Sequence, residues 1–341
     1  MRTALIGLGR IGWGVHLQKI LQHKELELCA AVDTNMERLK ELKEKYDVTG
    51  YLNYRDMLEC EKPELVVIAT PSVFHEEQAI TALKAGAHVL LDKPMATDYE
   101  AARRIRQTVL ETKKKLVVYQ SHRYSDVATV AKRILAKGIL GPVFQIKCTD
   151  YDYVRRNDWQ AFRELGGGML YNYCPHQLDL ALHLAQEKAK RIFSSVCNIA
   201  TLGDAEDVVR VMVETEKGII LDVDINQASA LAVSPLTIWG KYGTARLEND
   251  MNGARGFRVK YFDPKELEVQ KASKELELKE RKYPRENISW KEEWIPVKAE
   301  DRADFYGISL EYFLDSAESP VELDEIVELM HILEECKKSR K

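Results

Sequence analysis

A glycine-rich segment near the start of the chain combines residue types that suit the binding of a dinucleotide. It reads Gly7-Leu8-Gly9-Arg10-Ile11-Gly12, and it directly follows a short apolar run, Thr3 to Ile6. Gly7 permits a tight turn, Gly9 lets the backbone approach a pyrophosphate, and Gly12 allows a helix to pack closely on the preceding strand. The free N–H groups and the dipole at the start of the following helix favour an anion.

An acidic residue stands where the ribose of such a dinucleotide would lie. A second apolar run, Leu26 to Val32, ends in Asp33, which comes 21 positions after Gly12. At this spacing a carboxylate accepts hydrogen bonds from the ribose hydroxyls, and its charge repels a 2′-phosphate, so Asp33 favours NAD. Arg38 lies nearby in the sequence and could accommodate NADP instead. The alternative interpretation is an ordinary glycine-rich turn that binds nothing.

A lysine after another predicted strand is the first candidate for acid–base chemistry. His88 to Leu91 suits a buried strand, and Asp92-Lys93-Pro94 follows it directly. A lysine at such a strand end can exchange a proton with a substrate hydroxyl, and partial burial would lower its pKa toward the working pH. Pro94 would stiffen the turn that carries Lys93. The alternative is a solvated lysine in a surface turn.

A histidine in a predicted helix is the second candidate. Gly166-Gly167-Gly168 precedes a helical stretch from about Met169 to Leu184, which contains Asn172 and His176. Because these two residues are four positions apart, they would share one helix face, and a histidine there could relay a proton. Pro175 suits a first helical turn, so the helix either begins there or is kinked. A hydrogen-bonded core histidine is the alternative.

The elements that must position these groups alternate between strand and helix over about the first 120 residues. This alternation is typical of a parallel sheet covered on both faces by helices. Ligands bind such sheets at the carboxyl ends of the strands. The glycine segment, Asp33, Thr70-Pro71 and Asp92-Lys93-Pro94 all lie at such ends, so we expect them to converge on one crevice.

The pattern changes after Tyr119. Longer alternating segments from Pro142 onward predict a large, open and mostly antiparallel sheet, and Asp324 to Lys337 predicts a terminal helix. We therefore expect an α/β dinucleotide-binding domain over residues 1–121 and an α+β domain over residues 122–341, which would serve in substrate binding and oligomerisation.

Composition excludes several other classes of protein. The 341 residues, 45% hydrophobic and 30% charged, are ordinary for a globular protein of about two domains. A net charge of −4 gives no indication of nucleic acid or an anionic membrane as a partner. No apolar run approaches the roughly 20 residues of a membrane helix. The six cysteines form no CxxC pair and the histidines lack metal-ligand spacing, so we expect reduced thiols, a cytoplasmic location and no metal.

In combination these motifs resemble the Gfo/Idh/MocA oxidoreductases, relatives of glucose–fructose oxidoreductase and myo-inositol 2-dehydrogenase. The resemblance covers nearly the whole chain and rests on the glycine segment, Ala69-Thr70-Pro71 with His75, Asp92-Lys93-Pro94, and the triple glycine followed by His176 and Asp179. It implies a Rossmann domain that binds NAD or NADP. It also implies hydride transfer between the nicotinamide and a hydroxyl or ketone of a sugar, cyclitol or related polyol. A homodimer or homotetramer is expected.

The resemblance and the residue types together give the expected site. Lys93 and His176 are the expected catalytic residues. The residues expected to contact the substrate are Lys93, Tyr124, Trp159, Asn172 and His176. Those expected to contact the cofactor are Gly7, Gly9, Arg10, Ile11, Gly12, Asp33, Arg38, Thr70, Pro71, His75, Asp92 and Lys93.

Two residues depart from the family pattern. Asp92 stands where the family motif has Glu, and Asn172 stands where many members have Asp. Asparagine can neither take a proton nor carry charge, so we expect His176, beside a charged Lys93, to be neutral at pH 7. Two other functions remain open on the same fold: a ligand-sensing regulator without turnover, and a glycosidase with a tightly held NAD. Retention of Lys93 and His176 argues against the regulator.

Overall fold

A six-stranded parallel sheet forms the core of the first part of the chain. The computed structural model describes residues 1–267 and 287–340. The sheet order is β3-β2-β1-β4-β5-β6, which is the strand order of a dinucleotide-binding Rossmann sheet. Its strands are β1 (Arg2–Ile6), β2 (Glu27–Val32), β3 (Thr49–Tyr51), β4 (Leu65–Ile68), β5 (His88–Leu91) and β6 (Leu116–Val118).

Helices connect these strands and cover both faces of the sheet. A π-helical turn over Gly12–Leu17 continues into α1 (Gln18–Gln22), and α2 (Met36–Tyr46), α3 (Tyr54–Glu61), α4 (His75–Lys84) and α5 (Tyr99–Thr112) follow. Side chains cap several of them: Asn35 accepts a hydrogen bond from the N–H of Glu37 at the start of α2, and Asp98 accepts one from Ala101 at the start of α5.

The apolar runs became strands because both of their faces are covered. All four residues of β4 and the last four of β1 are buried, as expected for a parallel sheet between two helical layers. β1 pairs with both β2 and β4, so the carboxyl ends of these strands border one crevice. The edge strand β3 and the helix α3 are additions that the sequence pattern did not predict.

The second part of the chain contains an eight-stranded sheet in the order β14-β13-β12-β11-β7-β10-β9-β8. Every neighbouring pair is antiparallel except β7 with β10, so the predicted mostly antiparallel sheet is confirmed. Its strands are β7 (Val143–Tyr151), β8 (Ala189–Cys197), β9 (Val208–Thr215), β10 (Ile220–Asn226), β11 (Leu236–Gly240), β12 (Gly243–Asn249), β13 (Arg255–Tyr261) and β14 (Lys291–Pro296).

The helices of this part pack on the sheet and also return to the first domain. They are α6 (Asp126–Ala136), α7 (Met169–Asn172), α8 (Cys174–Ala185), α9 (Phe305–Phe313) and α10 (Leu323–Lys337). α8 packs against β7 and β10, whereas α10 packs against α5 as well as α8 and β8. Tyr306 of α9 is buried against His16, which follows the glycine segment. The expected boundary near residue 121 lies between the two sheets and stays a prediction.

None of the described helices combines the length and the apolar character that crossing a bilayer would require.

Candidate active site

The glycine segment leaves a bare backbone edge at the end of β1. A Cβ atom on Gly12 would lie 1.9 Å from the carbonyl oxygen of Gly7, and one on Gly7, whose φ is +96°, would lie 2.7 Å from the carbonyl oxygen of Ala69. Gly9 differs, because a Cβ there would meet no other described atom within 4 Å. Gly7 and Gly12 are therefore required by packing, whereas Gly9 faces open space, which is what close approach of a pyrophosphate to the backbone would require. Arg10 is exposed beside it.

Asp33 closes the turn after β2 and is largely buried. One carboxylate oxygen accepts a hydrogen bond from the N–H of Leu8 (2.8 Å) and contacts a guanidinium nitrogen of Arg38 (3.2 Å). The other oxygen accepts one from the N–H of Asn35 (2.8 Å). The carboxylate therefore ties the glycine segment to the start of α2, and it brings Arg38 to the position where an adenosine ribose would lie.

Thr70, Pro71 and His75 follow β4 at the same edge, but His75 points inward. It is 1% exposed, and its ring nitrogens lie 2.8 Å from the carbonyl oxygen of Pro94 and 2.9 Å from that of Thr70. Burial lowers the pKa of His75, and a neutral imidazole donates through only one nitrogen at a time. The ring of His75 thus links the turns after β4 and β5, and its expected contact with a cofactor stays a prediction.

Lys93 projects from the turn after β5 and reaches across to the second domain. Its Nζ donates a hydrogen bond to the backbone carbonyl oxygen of Asn172 (2.7 Å) and contacts the Asn172 side-chain oxygen at 3.3 Å. The Asp92 carboxylate accepts a hydrogen bond from the Lys93 N–H and so shapes the turn. Burial lowers the pKa of Lys93, Asp92 opposes this effect, and Arg10 adds to it.

The triple glycine positions Asn172. A Cβ atom on Gly167 would lie 2.3 Å from the carbonyl oxygen of Gln160, and one on Gly168 would lie 2.4 Å from a carboxylate oxygen of the fully buried Glu206. The Gly168 N–H donates to the Gln160 carbonyl (3.0 Å), and the Asn172 side-chain N–H donates to the Gln160 side-chain oxygen (3.1 Å). Close backbone packing, which only glycine allows here, therefore holds Asn172 against Lys93.

Asn172 and His176 do not share a helix face, contrary to the expectation. α7 ends at Asn172 and α8 begins at Cys174 with Pro175 in its first turn, so the two residues belong to separate helices. Proline has no N–H for a continuous helix, which is the physical reason for the break. Burial, followed by the charge of Lys93 and then by His122, lowers the pKa of His176 well below its ordinary value. This agrees with the expected neutral ring.

A second histidine, which the sequence reasoning did not single out, contacts the first. His122 lies in the short turn after β6, and its ring centroid is 3.9 Å from that of His176 with the planes inclined by 35°. Its position directly after a predicted strand, at the edge where the other candidates lie, was the available signal. His122 and His176 alone do not make a metal site, since the described residues contain no group of three His, Cys, Asp or Glu side chains able to hold a metal ion.

The two expected aromatic residues lie in different surroundings. Trp159 is 48% exposed and directly precedes Gln160, so it stands beside the Asn172 contact. Tyr124 instead packs on Phe305 and donates its hydroxyl proton to the carbonyl oxygen of Pro320 (3.1 Å). The hydroxyl of Tyr124 is thus engaged by Pro320, and Trp159 is the more exposed of the two residues.

Two similarities to known proteins concern the sequence. Over 228 residues the chain is 30% identical to the 1-carboxy-3-chloro-3,4-dihydroxycyclohexa-1,5-diene dehydrogenase of Comamonas testosteroni, an alignment that spans 65% of this chain and 57% of that protein. It therefore spans little more than half the length of this relative. Over 287 residues it is 25% identical to the myo-inositol 2-dehydrogenase of Thermotoga maritima, which covers 77% of this chain and 82% of that enzyme.

A solved structure and the family comparisons extend the similarity to the fold and to both domains. An NAD-binding protein from Listeria innocua superposes with a TM-score of 0.81 at 22% identity, covering 99% of this chain and 94% of that one, which is a likeness of fold. Residues 1–120 match the oxidoreductase family with an NAD-binding Rossmann fold, and residues 129–246 match the GFO/IDH/MocA C-terminal domain. With both of its domains matched, this chain belongs to the Gfo/Idh/MocA family of NAD-binding oxidoreductases.

Proposed function

We propose that this protein is an NAD-dependent dehydrogenase or reductase acting on a hydroxyl group, or the corresponding ketone, of a sugar, cyclitol or related polyol. The observation that carries the proposal is the contact of Lys93 with Asn172 at the edge of the sheet where the glycine segment and Asp33 also lie. Lys93, which could exchange a proton with a substrate, thus extends from the first domain to the second at the edge of the sheet where the glycine segment lies. The two curated relatives, named as dehydrogenases of a dihydroxylated cyclohexadiene and of myo-inositol, support a hydroxylated ring as substrate.

The residues present fit the cofactor. Gly7 to Gly12 would hold the pyrophosphate against backbone N–H groups, Asp33 would accept the ribose hydroxyls, and the Thr70-Pro71 turn would line the path toward Lys93. The bound nicotinamide supplies the hydride acceptor or donor. Because Asp33 carries a negative charge where a 2′-phosphate would lie, NAD is favoured over NADP, and Arg38 is the group through which NADP could still bind.

The chain's own residues would orient the reacting hydroxyl and manage its proton. An ammonium group has three donors, and Lys93 directs two of them toward the oxygens of Asn172, so the third is free for a substrate oxygen. His176, neutral at pH 7, would accept the hydroxyl proton during oxidation. Asn172 cannot ionise, so its part is to hold Lys93 and to hydrogen-bond a hydroxyl.

The outer face of the large sheet supports the proposed homodimer or homotetramer. Phe193 and Met212 are direct cross-strand neighbours on β8 and β9 and are 60% and 41% exposed. On neighbouring strands of this face Lys147 pairs with Asp222 at 2.9 Å. Light scattering coupled to gel filtration is expected to give a mass above the monomer, and Phe193→Glu is expected to lower it.

A cytoplasmic location is proposed from the thiols. All six cysteines, each within the described part of the chain, are free, as is usual in a reducing compartment.

A substrate screen with both cofactors tests the proposed function. The protein is incubated with a panel of sugars, glycosides, inositols and their keto forms, with NAD and with NADP, and the NADH absorbance band is followed. We expect stoichiometric, substrate-dependent NADH formation with at least one polyol. Cofactor binding without turnover on any of them would point to a regulator, and bond cleavage without release of free NADH would point to a glycosidase; either result overturns the proposal.

A further inference from the structure

Two imidazole rings from distant parts of the chain pack against each other within the influence of the Lys93 charge. The ring centroids of His122 and His176 are 3.9 Å apart, and the ring planes are inclined by 35°. His122 comes from the turn after β6 and is exposed, whereas His176 comes from the first turn of α8 and is half-buried. The two rings come from segments more than 50 positions apart in the sequence, so the contact is a tertiary one.

The charges around this histidine pair (His122 and His176) oppose its protonation. Burial is the largest influence on both rings; beyond it, His122 experiences the positive charges of Lys93 and Arg302, and His176 experiences Lys93 and His122. These neighbours are all cationic or become so on protonation, and two imidazolium rings at this distance would repel each other strongly. Although part of His122 is exposed to solvent, the desolvation of its ring and these charges lower its pKa to about 4. The pair is therefore neutral near pH 7 and accepts a proton only transiently.

The surroundings of His176 restrict how a proton leaves it. Its Nδ1 atom is buried and has no hydrogen-bond partner among the described residues. One ring face is covered by His122, which is itself open to solvent. Asn172 stands where many family members have an ionisable Asp. Its side chain is hydrogen-bonded to Gln160 and Lys93 and cannot take a proton. Two titratable groups act on His176 by their charge: Lys93, which is held by the oxygens of Asn172, and His122, which is exposed to solvent.

We propose that His122 is the proton-transfer partner of His176, carrying the substrate proton between the buried ring and bulk water. The proposal rests on the function proposed above. In oxidation the carbinol carbon loses a hydride to the cofactor, the O–H bond breaks, and a carbonyl forms while His176 takes the proton. His176 then releases that proton through a water at the rim, a ring nitrogen of His122 accepts it, and His122 loses it to solvent. The net products are the carbonyl compound, the reduced cofactor and one proton released to solvent, and reduction follows the reverse path.

The first experiment needs no turnover. Protein with isotopically labelled histidine is titrated from pH 3 to pH 8 by NMR, as the parent and as His122→Phe, which keeps an aromatic ring on His176 but cannot bind a proton. If the pair shares one proton, the two parent rings show coupled, biphasic curves, and His176 in His122→Phe shows a single-site curve. Independent single-site curves for both rings in the parent would overturn the proposal.

The second experiment measures proton transfer directly, with the substrate found in the screen. We expect His122→Phe and His122→Ala to lower kcat by about 10²-fold, the low end of losses for proton-handling groups, with KM little changed and a larger solvent deuterium isotope effect. Added imidazole is expected to restore kcat in His122→Ala, where it can occupy the vacated space, and not in His122→Phe. His331→Ala, which removes a surface histidine on α10, is the matched control and should behave like the parent.

The outcomes separate this proposal from the proposed function. Unchanged kcat and pH profiles in both His122 variants, or a loss in His122→Ala that imidazole does not restore, would give His122 a packing role only and overturn the relay. If instead no polyol reduces the cofactor in the parent, the proposed function fails, and the NMR titration still decides whether the histidine pair shares a proton.

Discussion

The Nζ atom of Lys93 is held by two oxygens of Asn172, at 2.7 Å from the backbone carbonyl and 3.3 Å from the side-chain carbonyl. Both acceptors are neutral, so the position of the lysine is fixed here without a compensating charge. The charge of Lys93 is influenced from other directions: burial lowers its pKa, Asp92 opposes that effect, and Arg10 reinforces it. In this site the position and the charge of the lysine are therefore determined by different groups.

Replacing Lys93 by Met should separate chemistry from cofactor binding. The glycine segment is unaffected, so the dissociation constant for NAD should stay within a few-fold, whereas kcat should fall about 10²-fold or more, as for the loss of an acid–base group. Calorimetry gives the first quantity and steady-state kinetics the second. Lys84→Met, on the exposed face of α4, is the matched control. A loss of kcat below tenfold would leave Lys93 with a positioning role only.

Asn172→Asp should move the alkaline limb of the pH–rate profile. The new carboxylate would contact Nζ and stabilise the ammonium form, which raises the pKa of Lys93 and keeps its donors charged to higher pH. The acidic limb, assigned to His176, should move less, because Asn172 lies on a separate helix and contacts Lys93. The measurement is kcat/KM from pH 5 to pH 10. Asn252→Asp is the control, because it adds the same charge in an exposed turn. An alkaline limb that stays in place would contradict the contact.

The sequence was sufficient to predict the groups that come from strand ends. Gly7 to Gly12, Asp33 and Lys93 each follow an apolar run, and parallel strands bring their carboxyl ends to one edge whatever the details of packing. Pro175 in the sequence also indicated the break between α7 and α8. These features depend on local pattern and on a general property of parallel sheets.

The remaining features depend on tertiary contacts that no local pattern contains. His75 lies at the same edge as Thr70, but its ring turns inward, where its nitrogens lie beside the backbone carbonyl oxygens of Pro94 and Thr70. His122 and His176 are far apart in the sequence, and their rings meet only in the folded chain. The triple glycine could be noticed in the sequence, but its reason, close approach to Gln160 and Glu206, required the folded chain.

Asp33→Ser should narrow the preference for NAD over NADP. Removing the carboxylate eliminates repulsion of a 2′-phosphate and frees Arg38 to bind it, so the ratio of the two dissociation constants should change by about tenfold toward NADP, equivalent to about 1.4 kcal/mol. Thermal stability should also decrease, because the N–H groups of Leu8 and Asn35 lose their acceptor. Calorimetry with both cofactors provides the test. Glu44→Ser on α2 is the control, and a parent that already prefers NADP would contradict the role of Asp33.

Buried neutral histidines should make the fold sensitive to mild acid. Burial lowers the pKa of His16 and of His176, and burial with Lys132 and Arg123 lowers that of His183 to about 3. In the unfolded chain such rings take up protons near pH 6.5, so between that pH and the lower folded pKa the unfolded state binds more protons, and stability decreases as the pH falls.

The free energy of unfolding in guanidinium should therefore be lower at pH 5 than at pH 7, with each such histidine contributing up to about 1.4 kcal/mol per pH unit. His183→Gln is the informative variant: its Nε2 atom is buried without a partner among the described residues, and glutamine keeps a polar side chain that does not titrate. Its stability should depend less steeply on pH between 5 and 6.5 than that of the parent. His331→Gln on the surface of α10 should leave the slope unchanged. Equal slopes for the parent and His183→Gln would mean that His183 takes up its proton in the folded protein as readily as in the unfolded chain.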